Sequence, residues 1–463
     1  MIKLLSEYKN YIEAFHAFIA DSKTLQYVIE LFFIMVAVSH AFRGFWKTSY
    51  VYWYAGIGLL SMIMLIFVVL VGRMYRYNDV ILLLFFLVLA WFSSAIIYGI
   101  TLLFFTSKFF CIWMTFLALY MVIRFVPDPS HALCVFSYAL AIPFTGICLY
   151  ALIHGGRSLF IDPPGQDLLL GCFRFGRLFA LTNANQIGLL SSSLILVSVY
   201  VFLSTKKRRR FFFLFSAIIG WFTLGLSGCR TGMIGVSAAF GLIACSIFFL
   251  HKGIWQSWHI LLRLACALLI GVAIGVLVLE SFYLPAVIFR GILLGLNWII
   301  RNPYLKKNVA DLSARKVSDD DGTLTDRVYI WATCVKDCFR SLRRALLGIS
   351  SLSKERVNGI YTGHHEITAP NAHNVYLDVV RRFGLLGLIP WVGLLVIWVR
   401  RGIQMLFKNG AGIADRFLAT CAAGMLVMGM AEAVPISDLG PASVTIPFFI
   451  ICGYCMIETR NKA

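Results

Sequence analysis

The sequence predicts an all-α, polytopic membrane protein with about twelve transmembrane helices and one long extracytoplasmic loop that contains short helices. Three observations support this fold class. Of the 463 residues, 60% are hydrophobic and only 14% are charged, whereas soluble domains are about 45–50% apolar and about a quarter charged. Apolar runs long enough to cross ~30 Å of hydrocarbon recur along the chain. Basic residues cluster in a few short segments between those runs.

The apolar runs define the predicted spans of a single membrane domain over residues 1–463. The first five precede a polar segment, the next four follow it, and the last three come after the long loop. The spans lie near 26–42, 50–72, 79–99, 102–123, 132–153, 183–203, 211–228, 231–250, 260–280, 383–399, 415–434 and 440–457.

The orientation follows from the basic residues, because Lys and Arg hold short loops on the cytoplasmic side. STKKRRR at 204–210 and RRGIQMLFK at 400–408 are the strongest such signals. Both termini are then cytoplasmic, and the long loop 281–382, inserted before the last three spans, is extracytoplasmic. A structureless loop of that length is unusual, so a small helical subdomain is expected. Residues 326–348 fit one amphipathic helix of the kind that lies on a membrane surface.

The formal net charge of +19 exceeds what topology alone requires. The surplus suits an anionic ligand or anionic lipid headgroups.

His373 stands where the long loop returns to the membrane, in the run NAHNVYLDVVRRFGLLG at 371–387. Pro370 and Asn371 are typical of a helix start, so His373 is expected in the first helical turn, on one face with Gly384. A neutral imidazole at a water–membrane boundary suits a general base. The alternative is an interfacial polar residue that caps the helix.

Arg230, in SGCRTG at 227–232, interrupts a long apolar stretch. An arginine at membrane depth is costly and usually faces a cavity or a partner. A guanidinium binds phosphate oxygens in a bidentate manner, which suits a diphosphate ligand. The alternative is a turn residue whose side chain extends to the interface.

Other polar residues mark two further helix starts. Asn183 and Asn185 follow Arg177 and predict a helix start together with polar contacts to a sugar or headgroup; the alternative is a simple amphipathic start of a span. Arg327 begins the amphipathic helix of the long loop, where the alternative to a binding role is a position on a solvated face or a salt bridge with Asp326.

Two groups of side chains have ligand chemistry for a metal ion. SDDDG at 318–322 is a run of carboxylates, but such a run between Ser and Gly is more typical of a solvated loop. His364 and His365 could join His373, yet no carboxylate at ligand spacing supports them. We therefore expect no metal site and no cofactor.

Four motifs occur in a fixed order along the chain. They are GRLFALTNANQIG at 176–188, LSGCRTG at 226–232, DRVYIW at 326–331 and HNVYLDVVRRFGLLG at 373–387. On these motifs the chain resembles the O-antigen ligase and O-antigen polymerase superfamily of bacterial envelope enzymes. The resemblance covers about 170–460. The run Asn-Ala-Asn departs from the common Asn-Pro-Asn, a difference that affects a helix start rather than the chemistry.

This resemblance implies a metal-independent, inverting glycosyl transfer at the extracytoplasmic face of the cytoplasmic (inner) membrane. The donor it implies is a glycan on undecaprenyl diphosphate. The essential histidine of the family matches His373, and the essential arginines match Arg230 and Arg327. Arg177 is implied as a further phosphate or sugar contact, and Asn374 as a substrate contact.

The implied partners are the lipid-linked donor, a glycan or lipid-linked acceptor, and the lipid bilayer itself. A chain-length regulator is a candidate protein partner, and nucleic acid is not expected.

Three functions remain open at this point. A polymerase of O-antigen or exopolysaccharide repeat units is favoured over a ligase that uses lipid A core or another acceptor, because nothing in the chain specifies a lipid A core partner. A polysaccharide transporter or flippase is the alternative of another class. Glu30 and Glu432, which fall within predicted spans, are the residues that would favour transport.

Overall fold

In a computed structural model the chain forms a bundle of α-helices to which two short β-hairpins are attached. The structure describes residues 23–42, 50–71, 77–98, 107–161, 170–174, 176–181, 183–205, 208–251, 259–310, 312, 323–350, 353, 355–361, 365–369, 371–408, 410–432 and 442–457. The acidic run at 318–322 and His364 lie outside these ranges.

The helices follow the apolar runs of the sequence. They are α1 (Lys23–Ala41), α2 (Tyr50–Val71), α3 (Asn78–Tyr98), α4 (Ser107–Val122), α5 (Pro129–Ser158), α6 (Ala184–Ser204), α7 (Arg210–Ser227), α8 (Arg230–Leu250), α9 (Ile260–Ser281), α10 (Leu284–Ile300), α11 (Pro303–Ala310), α12 (Thr323–Cys338), α13 (Leu342–Leu347), α14 (Val375–Phe407), α15 (Ile413–Met428) and α16 (Ala442–Cys455).

The strands form two antiparallel hairpins. In the first, β1 (Cys172–Arg174) pairs with β2 (Arg177–Phe179) just before α6. In the second, β3 (Val357–Tyr361) pairs with β4 (His365–Ala369) just before α14. The second hairpin lies in the segment 281–382, where the sequence predicted only helices.

All twelve predicted spans overlap a helix, but not every helix is long enough to cross a bilayer by itself. Within the described ranges, eight helical stretches are long and apolar enough to do so, with α9 and α10 counted together as Ile260–Ile300. Shorter apolar segments occur in α2, α4 and α16. The multi-pass, helical character is therefore confirmed, while the count of twelve and the loop boundaries remain predictions.

Two predicted elements differ in the structure. α15 ends at Met428, so Glu432 lies beyond this helix and not within it. The amphipathic segment 326–348 is two helices, because the side chain of Ser341 accepts a hydrogen bond from the Arg344 backbone N–H and starts α13 as a new helix. A side-chain oxygen at this position satisfies a backbone donor that the helix start would otherwise leave unpaired.

α14 is broken at Gly384, which has φ +67° and ψ −171°. The chain after α13 fills the break: the backbone N–H groups of Ile349 and Ser350 donate to the carbonyls of Arg381 and Arg382 at 2.9 and 3.0 Å. A Cβ at Gly384 would overlap the backbone of α13. Only glycine combines this left-handed backbone with such a close approach.

Close helix packing brings the starts of α6 and α8 together. A Cβ on Gly188 would overlap the side chain of Cys229, and one on Gly232 would overlap Ser192. Small residues at such positions let helix backbones approach closely inside a membrane. The motifs at 176–188 and 226–232 therefore have a packing role, and the functional side chains beside them are brought into contact.

A second, smaller hydrophobic cluster holds α12 against the start of α14. It consists of Ile330, Cys334, Val357, Ala369 and Ala372, with Trp331 and Leu377 packed against them. This cluster places the first turns of α12 directly above the segment that carries His373.

Candidate functional site

The site forms at one end of the bundle, around Glu432. Segments far apart in sequence meet there: the start of α6, the turn between α7 and α8, α12, the residues before α14 and the residues after α15. Glu432 is only 9% exposed, and a carboxylate so deeply buried requires polar partners. Its partners are supplied by three of those segments.

His373 is the first partner of this carboxylate. Its Nδ1 lies 3.1 Å from Oε2 of Glu432, and its side chain is 29% exposed. When Nδ1 of a neutral imidazole carries the proton and donates it to the carboxylate, Nε2 keeps its lone pair. The pair can therefore present a base whose tautomer and orientation are fixed by Glu432.

Asn185 and Arg327 bind the other carboxylate oxygen. Nδ2 of Asn185 donates to Oε1 of Glu432 at 3.0 Å, and Nη2 of Arg327 lies 3.4 Å from the same oxygen. Nη1 of Arg327 also donates to the backbone carbonyl of Ala431. Arg327 thus pairs with Glu432, 105 positions away, whereas the side chain of Asp326, its predicted alternative partner, is outside the described set.

Arg177 is occupied by protein groups. Its Nε donates to the carbonyl of Ser227 at 2.7 Å, and its Nη2 donates to the Gly228 carbonyl at 3.3 Å and to Oδ1 of Asn185 at 3.0 Å. These carbonyls end α7, where a cation is favourable. Arg177 therefore fixes the turn before Arg230 and orients Asn185, while its direct contact with a phosphate or sugar stays a prediction.

Three helix starts surround the carboxylate. Asn183 and Asn374 are the N-caps of α6 and α14, and their side-chain oxygens accept backbone N–H groups of the first turn. Arg230 is the first residue of α8, directly after Cys229, whose Sγ lies 3.8 Å from the Asn185 carbonyl. Helix starts carry partial positive charge and bind anions. With the arginines they make a strongly cationic environment.

The three asparagines predicted as substrate contacts therefore have structural partners. Nδ2 of Asn374 also donates to the Met430 carbonyl at 3.1 Å, which joins α14 to the end of α15. The helix start predicted at Asn183 agrees with the structure, whereas the start predicted at Pro370 and Asn371 lies a few residues later, with Asn374 as the N-cap. Direct contact between these asparagines and a substrate stays a prediction.

His373 precedes α14 and is not in its first turn, as the sequence had suggested. Its φ is +47°, a left-handed value that a residue with a side chain rarely adopts. The shared face with Gly384 is also wrong, because α14 begins only at Val375 and breaks at Gly384. Such backbone strain persists only where the surroundings enforce it.

A set of hydrogen bonds enforces the backbone at His373. Oδ1 of Asn371 accepts the His373 N–H at 2.9 Å, and Oδ1 of the buried Asp378 accepts the Ala372 N–H at 3.0 Å. Nε1 of Trp331 donates to the Ala372 carbonyl at 3.0 Å. α12 thus holds His373 in place from one side while α14 holds it from the other.

Cys229 lies inside the site but is not a nucleophile at neutral pH. The pKa of its thiol is raised to about 12, mainly by burial and to a smaller extent by the charge of Glu432, against the lowering effects of a hydrogen bond with the Gly232 backbone and of Arg177 and Arg327. The thiol therefore stays protonated and serves as a packed, weak donor.

The metal expectation is only partly covered by the structure. In the part of the chain that is described, no three His, Cys, Asp or Glu side chains lie close enough to hold a metal ion. The side chains of His364 and His365 and the run 318–322 fall outside it.

Sequence reasoning missed Glu432 as a member of this site and assigned it to a possible transport function. It also missed Asp378 and Trp331. A signal existed for Glu432: it is the one acidic residue between residue 416 and residue 437 of an otherwise apolar region. Nothing in the sequence shows that this region returns to His373.

Comparison with known proteins supports the resemblance seen in the motifs. A family model described as O-antigen ligase matches residues 215–392. The match includes Arg230, Arg327 and His373; Arg177 lies before it and Glu432 after it. No curated protein and no solved structure matches the chain. Residues 215–392 are thus similar to an O-antigen ligase domain, and this match confirms the resemblance of the chain to the superfamily of O-antigen ligases and polymerases.

Proposed function

We propose that the protein is a membrane glycosyltransferase that joins glycans carried on undecaprenyl diphosphate, as a polymerase of O-antigen or exopolysaccharide repeat units. The reaction is inverting, needs no metal, and takes place at the extracytoplasmic face of the inner membrane. Both chain termini are then cytoplasmic. The observation that carries the proposal is the His373–Glu432 pair, whose carboxylate also binds Arg327 and Asn185 at the start of α6.

His373 serves as the general base. The hydroxyl oxygen of the acceptor sugar attacks the anomeric carbon of the donor, and Nε2 of His373 accepts the hydroxyl proton. Glu432 holds the tautomer in which Nε2 is free and stabilises the imidazolium that forms. This division of work matches that of a histidine oriented by a buried carboxylate in acyl-transfer enzymes.

The cationic surroundings act on the leaving group. As the new glycosidic bond forms, the bond between the anomeric carbon and the diphosphate oxygen breaks, and negative charge develops on undecaprenyl diphosphate. Arg230 and the remaining donors of Arg327 stabilise that charge, together with the helix starts. A single displacement inverts the anomeric carbon.

A ligase that transfers the glycan to lipid A core or another acceptor would use the same groups. The two enzymes differ only in the acceptor. The acceptor of a polymerase is a second lipid-linked repeat unit, whereas that of a ligase is lipid A core or another final acceptor. A chain-length regulator would be a partner of the polymerase.

The transport alternative draws little support from the two glutamates that favoured it, because both have partners in the protein. Glu432 is held by His373, Asn185 and Arg327, while Glu30 is bound near the start of α1 to His131 at 2.6 Å and to Gln26. Neither carboxylate stands alone at mid-membrane, where a transported ion or proton would need it.

The test is an assay with purified protein in detergent and undecaprenyl-diphosphate glycan extracted from the host, with EDTA present. Wild type is expected to lengthen or transfer the glycan, while His373→Ala and Arg230→Ala fold but fail. A ladder of products indicates a polymerase, and a single shift indicates a ligase.

Two matched controls make the result specific. His251→Ala removes an exposed histidine after α8, and Arg356→Ala removes an exposed arginine of the segment 281–382. Both should remain active. Full activity of His373→Ala would refute the proposal at its centre, and loss of activity in EDTA alone would refute metal independence.

A further inference from the structure

An exposed patch at α13 combines apolar and basic side chains in a way that the proposed reaction does not use. Phe339, Leu342 and Leu346 are 59%, 77% and 38% exposed, and Arg340 and Arg343 are exposed beside them. We call these five residues the α13 patch. Large apolar side chains so exposed usually mark an interaction surface.

The two arginines of the α13 patch are free to bind something else. Within the described residues neither has a carboxylate partner, whereas the adjacent Arg344 pairs with Asp337 and Glu355. The local acidic residues are thus used by Arg344, and the patch presents two positive charges that nothing in the described chain neutralises.

The position of the patch along the membrane normal follows from α14. The backbone of Leu346 lies against Gly384 at the break of α14. From Gly384 to Arg400, which begins the basic run at the other end, α14 rises about 24 Å at 1.5 Å per residue. A hydrocarbon layer is about 30 Å thick. α13 therefore lies within a few ångströms of its edge, on the side of the functional site.

At that depth the two kinds of side chain match the two layers of a bilayer. Apolar side chains of an interfacial helix enter the boundary of the acyl chains, and arginines extend to the headgroups. We propose that the α13 patch is a docking surface for anionic phospholipid headgroups, which holds α12 and its Arg327 at a fixed height.

The test uses the full chain in nanodiscs of phosphatidylcholine and phosphatidylglycerol, with a fluorescent amino acid at position 342. Doxyl-labelled lipids of either headgroup are added as quenchers. We expect quenching by both, at least about two-fold stronger by phosphatidylglycerol, since each cation near an anionic surface favours it several-fold. The double variant Arg340→Gln/Arg343→Gln should bring the ratio close to one, while the control Arg356→Gln should leave it unchanged.

Three results would overturn the inference. If neither lipid quenches the fluorescence, the patch faces water. A change of that fluorescence on addition of soluble heparin would then identify an anionic glycan as its ligand. Equal quenching by both lipids in wild type means contact with the bilayer without selection of headgroup. An unchanged ratio in the double variant means that these arginines do not bind the lipid. None of these readouts depends on the proposed transferase activity.

Discussion

Replacement of Glu432 by glutamine keeps the shape of the side chain and removes one oxygen acceptor. In wild type, Oε1 faces two donors, Asn185 and Arg327, while Oε2 faces Nδ1 of His373. A glutamine has one oxygen, and the two donors together will retain it. Its NH₂ group then faces Nδ1 of His373, which must become the acceptor. The ring proton moves to Nε2, and the base is lost.

The expected loss follows from the contribution of a correctly oriented general base. Proton transfer by a positioned side chain contributes roughly 10²–10⁴-fold, and an Asp-to-Asn change behind a catalytic histidine costs about 10⁴-fold in kcat. We therefore expect kcat of Glu432→Gln to fall by roughly 10²–10⁴, which is about 3–5 kcal/mol of transition-state stabilisation. KM for the lipid-linked donor should change little, because the diphosphate contacts remain.

The assay is single-turnover transfer of a labelled lipid-linked glycan, with the melting temperature in detergent measured alongside. Glu280→Gln, at an exposed glutamate near the end of α9, is the matched control and should retain wild-type kcat. If Glu432→Gln is well folded and retains kcat within about three-fold, the orientation argument is wrong. His373 would then not depend on this carboxylate.

Three other changes test the parts of the structure that support the site. Gly384→Ala should lower the free energy of unfolding in detergent by roughly 1–3 kcal/mol, because Gly384 has a positive φ and contacts α13. The control Gly402→Ala, in open space within the same helix, should not lower it. Equal melting temperatures of the two variants would contradict the break of α14 at Gly384. Asp378→Ala should lower kcat about ten-fold or more with KM unchanged, because the backbone before His373 loses its hydrogen-bond acceptor. Asp378→Asn keeps an acceptor oxygen and should restore much of kcat. If Asp378→Asn restores nothing, the negative charge of Asp378 is what matters instead. Burial raises the pKa of the Cys229 thiol from 9.0 to about 12. Its contribution to stability is therefore fully present below the pKa of an unfolded thiol and is lost as the pH rises from there to about 12. A maleimide at pH 8 should modify Cys229 only after unfolding, and rapid modification of the native protein, seen by mass spectrometry, would show that the thiol is accessible.

The sequence was sufficient for the features that depend on local chemistry. Each of the twelve spans predicted from apolar runs overlaps a helix, because a bilayer imposes the length and composition of the helices that cross it. The helix start at Asn183 was predicted from its place just before an apolar run, where an amide side chain can cap the backbone. The boundary at Arg230 was predicted because the polar run SGCRTG interrupts an apolar stretch.

Features that depend on contacts between distant segments could not be read in this way. Glu432 meets Asn185 across 247 positions, and no local pattern reveals that contact. The contacts of Arg177 with the carbonyls at the end of α7 could not be predicted either, since nothing in its own segment shows them. The break of α14 needed the position of α13, because Gly384 alone is compatible with a continuous helix.

The interruption at Gly384 also separates two mechanical parts of α14. The lower part crosses the bilayer, and its tilt must follow the thickness of the surrounding lipid. The upper part carries Asn374 and Asp378 and is held by the chain after α13 through the Ile349 and Ser350 backbone bonds. Tilting of the membrane-spanning part is therefore taken up at a single residue, and we expect the alignment of His373 with Glu432 to be insensitive to bilayer thickness. The enzyme can thus keep one reaction geometry while the lipid composition of its membrane changes.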